Sequence, residues 1–112
     1  MELQAEMIRD VVVVTLPVEE LDASNAGELK RDIAPLLDAH AKVVFDLVRL
    51  RFVDSSGLGS FLSCLRKLNA KGGDLKLCRV ARPVRTVFEL VRMHRVLDIY
   101  ETRDDAVAAF GP

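Results

Sequence analysis

The chain has few of the residues that nucleic-acid-binding proteins use. It contains no tryptophan, one tyrosine and five phenylalanines, which is a poor supply of rings for stacking on bases. Its 16 lysines and arginines are outnumbered by 17 aspartates and glutamates, so no positive excess attracts a polyanion. We therefore expect no nucleic-acid partner.

Cysteine and histidine are also scarce, with two of each. Cys64 and Cys78 lie among apolar residues and show no metal-ligand spacing, a pattern typical of reduced, buried thiols. The carboxylates of Asp22 and Asp54 have no His or Cys cluster beside them in the sequence. The sequence therefore predicts no metal site and no cofactor.

Long hydrophobic runs are absent. No segment approaches the roughly 18 apolar residues of a membrane span, and residues 1–10 carry acidic side chains in place of the basic and apolar parts of a signal peptide. We expect a cytoplasmic protein with no membrane partner. The length of 112 residues, 50% of them hydrophobic, predicts one domain over residues 1–112 with a substantial core.

Strand and helix patterns alternate along the chain. Apolar or β-branched runs predict strands, and apolar residues at helical spacing predict helices. The predicted strands cover residues 3–8, 11–16, 43–47, 75–80 and 96–100. The predicted helices cover residues 24–37, 56–70, a stretch that begins at 82, and 102–110. This order predicts an α/β fold with about four helices and a mixed, mostly parallel sheet.

Local signals refine the predicted helices. Asp22 or Ser24 is placed to cap the first helix, and Pro35 is expected to kink or end its last turn. In the third helix we expect four residues to face inward, namely Val84, Val87, Phe88 and Val91. An arginine stripe on this helix is typical of a solvated face or, alternatively, of a docking surface for anions. The stripe consists of Arg82, Arg85 and Arg92.

The junction between the third predicted strand and the second predicted helix is rich in small polar residues. It carries a carboxylate, two hydroxyls and two glycines, namely Asp54, Ser55, Ser56, Gly57 and Gly59. The serines should lie at a helix N-terminus, where free backbone N–H groups and the helix dipole favour a phosphate. The glycines would let a partner approach the backbone closely.

Two catalytic or binding uses of this junction have little support. A serine nucleophile would need a base, and only His40 and His94 are available, with no Gly-x-Ser-x-Gly elbow. A nucleotide loop needs more than the lone Gly57-x-Gly59. We therefore expect no enzymatic activity from these residues.

Two other uses fit the junction better. Helix capping explains one residue among Asp54, Ser55 and Ser56. It does not explain the whole group, whereas use of a serine as a phosphate acceptor does. Capping and phosphorylation are also compatible with each other.

The same residues resemble the STAS domain family, and more narrowly the bacterial anti-sigma factor antagonists. The resemblance rests on Val-Val-Phe-Asp-Leu at 43–47 and on Phe-Val-Asp-Ser-Ser-Gly-Leu-Gly at 52–59. Supporting matches spread over almost the whole chain, at residues 21–22, 71–73, 75–77 and 87–90. At one position the chain departs from the family, because Glu19 stands where a glycine usually precedes the Leu-Asp pair.

This resemblance implies a STAS fold and a regulatory role. Such antagonists bind an anti-sigma factor that is also a serine kinase, and they thereby free a sigma factor for transcription. The kinase would phosphorylate Ser55, or with less support Ser56, and a PP2C-type phosphatase would reverse the reaction. The resemblance places the partner-binding residues at Asp22, Asp54, Ser55, Ser56, Gly57 and Gly59. Two alternatives stay open: a non-switching STAS scaffold subunit of a signalling or transport complex, and a nucleotide-binding STAS module.

Overall fold

The computed structural model describes all 112 residues and contains strands and helices in the predicted alternation. The strands are β1 (Gln4–Ile8), β2 (Val11–Thr15), β3 (Glu20–Leu21), β4 (Lys42–Asp46), β5 (Phe52–Val53), β6 (Asp74–Cys78) and β7 (Asp98–Tyr100). The helices are α1 (Ala26–Ala39), α2 (Ser55–Asn69), α3 (Arg82–Leu90) and α4 (Arg103–Ala108), with a short 3-10 helix at Met93–Arg95. The predicted α/β fold with about four helices is confirmed.

Five strands form one sheet in the order β1-β2-β4-β6-β7. Only β1 is antiparallel, as the hairpin partner of β2, and the other neighbours pair in parallel. The register sets Val12 beside Val43 and Val43 beside Leu75, so apolar residues form rows across the sheet. The prediction of a mixed, mostly parallel sheet is therefore confirmed.

The helices cover the two faces of this sheet unequally. The larger core lies under α1, α2 and α3, where Ile33, Phe61 and Phe88 are fully buried against the sheet. A smaller apolar cluster on the opposite face lies under α4 and includes Val44 and Val107. Both faces of β2 and β4 are thus buried, which is why the sequences of these two strands are almost continuously apolar.

A second, two-stranded sheet was not predicted from the sequence. In it β3 pairs in parallel with β5, with Glu20 beside Phe52 and Leu21 beside Val53. Leu21 and Val53 are buried, whereas Phe52 is 52% exposed. Two-residue strands carry no measurable periodicity, but this pair brings the chain after β3 next to the start of α2.

The predicted cap of α1 and the predicted end of the helix at Pro35 are wrong. The helix begins at Ala26 with Asn25 as its N-cap, because the Asp22 carboxylate instead accepts hydrogen bonds from the backbone N–H and the hydroxyl of Ser24. Pro35 does not end the last turn, since the helix continues to Ala39. A proline removes one helical hydrogen bond and crowds the carbonyl four residues earlier, yet the N–H of His40 still donates to the Leu36 carbonyl at 3.0 Å. The alternative effect, a kink at Pro35, stays a prediction.

The prediction for the end of α3 is wrong as well. Val84 and Phe88 are buried as expected, but Val91 is 51% exposed. The helix ends at Leu90, and Arg92 has a left-handed backbone with φ of 61°, which turns the chain out of the helical path. Arg92 therefore does not continue the stripe of Arg82 and Arg85.

Candidate functional site

Asp54 organises the junction between β5 and α2. It is the N-cap of α2, and its Oδ1 accepts the backbone N–H of Gly57 at 2.9 Å. Its Oδ2 accepts the backbone N–H of Ala23 at 3.2 Å. The capping prediction is therefore confirmed for Asp54, and the same carboxylate also reaches across to the chain that follows β3.

The two serines of the junction lie at the very start of α2. Ser55 and Ser56 are both exposed and occupy its first turn, where backbone N–H groups have no carbonyl partner within the helix. Ser60, one turn further on, is buried and donates its hydroxyl to the Gly57 carbonyl at 2.6 Å. Only the first two serines are thus open to a modifying enzyme.

The two glycines have different environments. Gly57 is buried, and a Cβ there would lie 2.4 Å from the Leu21 carbonyl oxygen and 2.6 Å from Cγ2 of Val53. Gly59 is exposed, and a Cβ there would meet nothing within 4 Å. Gly57 therefore allows α2 to pack tightly on β3, and only Gly59 offers open backbone at the surface.

Asp22 belongs to a compact turn between β3 and α1. Its N–H donates to Oδ1 of Asn25 at 2.9 Å, and its Oδ1 accepts the N–H of Ser24 at 2.9 Å. The amide of Asn25 also donates to the Glu20 carbonyl at 2.8 Å. Hydrogen bonds from the hydroxyl and the N–H of Ser24 hold the pKa of the Asp22 carboxyl below its usual value.

The structure thus brings the turn that contains Asp22 into contact with Asp54, which directly precedes the two serines. The hydrogen bonds of Ala23 and Asn25 at this site were not predicted from the sequence. A signal for it existed, because the polar string 22–25 contains the residue types that form Asx turns. What the sequence could not indicate was that the Ala23 N–H points at a carboxylate far along the chain.

Glu19 is exposed and lies just before β3. Its carbonyl accepts the N–H groups of Arg51 at 2.7 Å and Phe52 at 3.1 Å, so it anchors the segment before β5. It does not have the positive φ that would require a glycine. The departure from the family pattern is therefore accommodated by the backbone and changes only the side chain presented at this edge.

The structure gives little support to a catalytic base, a nucleotide loop or a metal site. His40 precedes the first residue of β4, whereas Ser55 comes after β4 and β5, and His94 lies in the 3-10 helix after α3. Gly57 and Gly59 are both inside α2 and therefore form no phosphate-binding loop before a helix. No group of three or more His, Cys, Asp or Glu side chains is arranged to hold a metal ion.

Both cysteines are buried, as predicted. Burial raises the pKa of the Cys64 thiol to about 11 and that of Cys78 to about 12. Thiols with such values carry little thiolate near neutral pH and are poor nucleophiles. Neither cysteine is suited to covalent chemistry.

A surface cavity of about 440 Å³ lies beside the start of α3. Its charged lining is mixed rather than basic, because two arginines face two glutamates, and Arg85 pairs with Glu101 at 3.6 Å. The lining residues are Val80, Arg82, Arg85, Thr86, Glu89 and Glu101. This balance favours a solvated face over an anion-docking surface.

A buried carboxylate that the sequence analysis did not single out lies at the end of β4. Asp46 is fully buried and is held by two arginines, with Nε of Arg79 at 3.1 Å and Nε of Arg103 at 2.6 Å. Arg103 also donates to Oγ1 of Thr15 at 2.8 Å. The cluster joins β2, β4, the chain after β6 and the first residue of α4.

None of the four helices is both long enough and apolar enough to cross a membrane.

Residues 2–106 match the family described as the STAS domain. A relative named anti-sigma F factor antagonist, from Paenibacillus polymyxa, is 33% identical over 111 residues, which cover 96% of this chain and 94% of the relative.

Solved structures agree in fold. An anti-sigma factor antagonist from Mycobacterium paratuberculosis superposes with a TM-score of 0.84 at 26% identity, covering 96% of this chain and 92% of its own. The anti-sigma factor antagonist SpoIIAA in its unphosphorylated form gives 0.78 at 28% identity, over 97% of this chain and 96% of its own. The phosphorylated form of SpoIIAA, a Bacillus cell fate determinant, gives 0.70 at 28% identity, over 97% and 99% of the two chains.

Proposed function

The chain belongs to the STAS domain family, and from this membership we propose that it is an anti-sigma factor antagonist. In this proposal the protein has no catalytic activity of its own and acts in the cytoplasm by binding. Its partner is an anti-sigma factor that is also a serine kinase. Binding frees a sigma factor, and phosphorylation of Ser55 ends the binding until a PP2C-type phosphatase removes the phosphate.

One observation carries this proposal. Ser55 is exposed at the first residue of α2, directly after the capping Asp54 and beside the turn that contains Asp22. A relative of the same fold has been solved in both an unphosphorylated and a phosphorylated form. A small, open hydroxyl among carboxylates supports a role as a substrate whose modification changes the charge of a binding surface.

The expected size of the charge effect is sufficient for a switch. A phosphoserine carries about −1.5 to −2 charges at neutral pH, and Asp54 is its neighbour in the sequence. Like charges brought together at an interface cost several kcal/mol. A loss of roughly 3 kcal/mol would weaken binding about a hundredfold.

The location of Ser55 at the N-terminus of α2 also favours a folded phosphorylated protein. A phosphate on Ser55 would lie at the positive end of the α2 dipole, near N–H groups that no helix carbonyl occupies. We therefore propose that phosphorylation lowers the affinity for the partner without unfolding the domain.

Phosphorylation is tested by incubating the protein with the candidate kinase of the same host and ATP, followed by mass analysis of its peptides. We expect one phosphate, on Ser55. The variant Ser55→Ala should remain unmodified, whereas Ser56→Ala should be modified like the wild type. A phosphate on neither serine would contradict the acceptor role, and a phosphate confined to Ser56 would move that role by one residue.

Partner binding is tested separately by calorimetric titration of the unmodified protein with the purified kinase. A complex that forms with unmodified protein and is lost after phosphorylation supports the switch. A complex of equal affinity in both states would instead support the scaffold alternative. Titration with ATP and GTP alone tests the nucleotide-binding alternative, for which we expect no heat of binding.

A further inference from the structure

The two chain segments that form the proposed partner surface come from distant parts of the sequence. One is the turn 22–25 after β3, and the other is the first turn of α2. The pairing of β3 with β5 brings them close. The Asp54 carboxylate is the only side chain that links the turn to α2 by a hydrogen bond, through the Ala23 N–H at 3.2 Å.

The carboxylates of the two aspartates are used differently. Both oxygens of Asp54 accept a backbone N–H, from Gly57 and from Ala23. In Asp22 only Oδ1 accepts hydrogen bonds, both from Ser24, and Oδ2 accepts none. Asp22 therefore keeps an oxygen for a partner, whereas Asp54 is engaged inside the molecule.

We propose that Asp54 is a positioning residue of the partner surface. It holds the turn 22–25 against the start of α2, so that Asp22 and Ser55 present one continuous surface, and it acts on the partner through Asp22. This inference rests on the proposed function, and it differs from the expectation that Asp54 contacts the partner directly.

The physical basis is a loss of preorganisation. Without the bond from Ala23, the turn keeps its internal hydrogen bonds but is no longer tied to α2 by a side chain. The partner would then have to order the turn during binding, which lowers the affinity. A hydrogen bond to a charged acceptor contributes on the order of one tenfold step in an equilibrium constant.

A double-mutant cycle tests this role. The side chain introduced by Asp54→Asn keeps one carbonyl oxygen, which can accept the Gly57 N–H. Its NH₂ group then faces the Ala23 N–H, and an NH₂ group cannot accept a hydrogen bond from that N–H. Affinities for the purified anti-sigma factor kinase are measured by calorimetry for wild type, Asp54→Asn, Asp22→Asn and the double variant. A control is Thr102→Ala, which removes a comparable N-cap hydrogen bond from α4.

If Asp54 acts through Asp22, each single variant binds about tenfold more weakly and the double variant is little weaker than either. Thr102→Ala should bind like the wild type. Amide exchange of Ala23 in the isolated protein should quicken severalfold in Asp54→Asn, an effect that a direct contact with the partner would not produce.

Additive losses in the double variant, or an unchanged exchange rate at Ala23, would overturn the positioning role while leaving the antagonist function intact. If the wild-type protein binds no anti-sigma factor, the proposed function fails. The exchange measurement still decides in that case whether Asp54 holds the turn, so the two failures are distinguishable.

Discussion

Asp46 is the last residue of β4 and Asp54 directly follows β5, but the two carboxylates lie in opposite environments. Asp46 is fully buried at the end of β4 and is paired with two arginine side chains. Asp54 follows β5, is partly exposed, and is held by two backbone N–H groups. The Asp46 carboxylate therefore links buried structural elements, and the Asp54 carboxylate holds two surface segments in position.

The difference shows how each charge is stabilised. A buried carboxylate loses its hydration and requires full ionic pairing, and Arg79 and Arg103 supply it. At a helix N-terminus the free N–H groups and the dipole stabilise a charge without any cation. The region around Asp54 can therefore remain electrostatically open to a modification or a partner, whereas the region around Asp46 is already neutralised.

Titration of Asp46 follows from the same contacts. Burial alone raises the pKa of its carboxyl, but the hydrogen bonds from Arg79 and Arg103 outweigh burial, so the pKa lies below the ordinary value. The pKa values of both arginines are raised, chiefly by their hydrogen bonds to Asp46. The three groups thus favour each other's charged forms.

The largest effect in this comparison is expected from Asp46→Ala. Removing the carboxylate breaks its hydrogen bonds to two partly exposed arginines, and because a hydrogen bond to a charged group contributes about 1.5–3 kcal/mol, the two together should cost about 3–5 kcal/mol. Urea denaturation should show this loss in the free energy of unfolding. The exposed Asp104 of α4 provides a control, since Asp104→Ala should change stability by less than about 0.5 kcal/mol. Equal effects of the two variants would remove the distinction between the buried and the surface carboxylate.

The second effect concerns the surface region alone. Ser55→Glu places a negative charge beside Asp54 and should weaken binding of the anti-sigma factor about a hundredfold, with the unfolding free energy nearly unchanged. Asn69→Glu adds the same charge at the other end of α2 and should bind like the wild type. Calorimetric titration measures both. Tight binding by Ser55→Glu would contradict the charge mechanism.

The third effect separates the two glycines of α2. Gly57→Ala forces a Cβ against the Leu21 carbonyl and should destabilise the protein by about 1–3 kcal/mol through overpacking. Gly59→Ala meets open space and should stabilise the helix by about 0.5–1 kcal/mol. Thermal unfolding should therefore shift in opposite directions. Shifts of the same sign would mean that α2 is not packed against β3 as described.

The smallest effect is the dependence of stability on pH. Because the folded-state pKa of Asp46 is lowered, its stabilising contribution is complete above the ordinary carboxyl pKa of about 3.9. The contribution is lost as the pH falls from there through the folded-state pKa. Asp46→Asn should therefore lose less stability than the wild type over this acid range in urea titrations. Parallel pH profiles would show that Asp46 does not drive the acid sensitivity.

The sequence predicted most of the fold because the main elements carry strong patterns. Strands β2 and β4 are nearly continuous apolar runs, β6 alternates Leu75 and Leu77 with polar residues, and α2 places its buried residues at helical spacing. The wrong predictions concern helix ends, where the hydrophobic pattern is weak or where other contacts outweigh a residue's local preference. The end of α3 depends on one left-handed residue, Arg92, and the first turn of α1 depends on how Asp22 uses its carboxylate.

The candidate site was predicted only in part, for the same reason. The Asp-Ser-Ser-Gly string identified an N-cap and two surface hydroxyls from local chemistry alone. The distinct roles of Gly57 and Gly59 could not be seen, because they depend on whether Leu21 or solvent lies opposite each glycine. The ion pairs of Asp46 could not be predicted either, because Arg79 follows β6 and Arg103 begins α4, both far from Asp46 in the sequence.

By itself, then, the sequence determined the alternation of strands and helices, the capped start of α2 and the position of the exposed serines, because these follow from interactions between near neighbours in the chain. The tertiary structure alone decided that Ala23 meets Asp54, that Gly57 is a packing residue and that Asp46 is paired with arginines. Each of these contacts joins residues far apart in sequence. They form only when parallel pairing of the strands and burial of the core bring those residues within hydrogen-bonding or van der Waals distance.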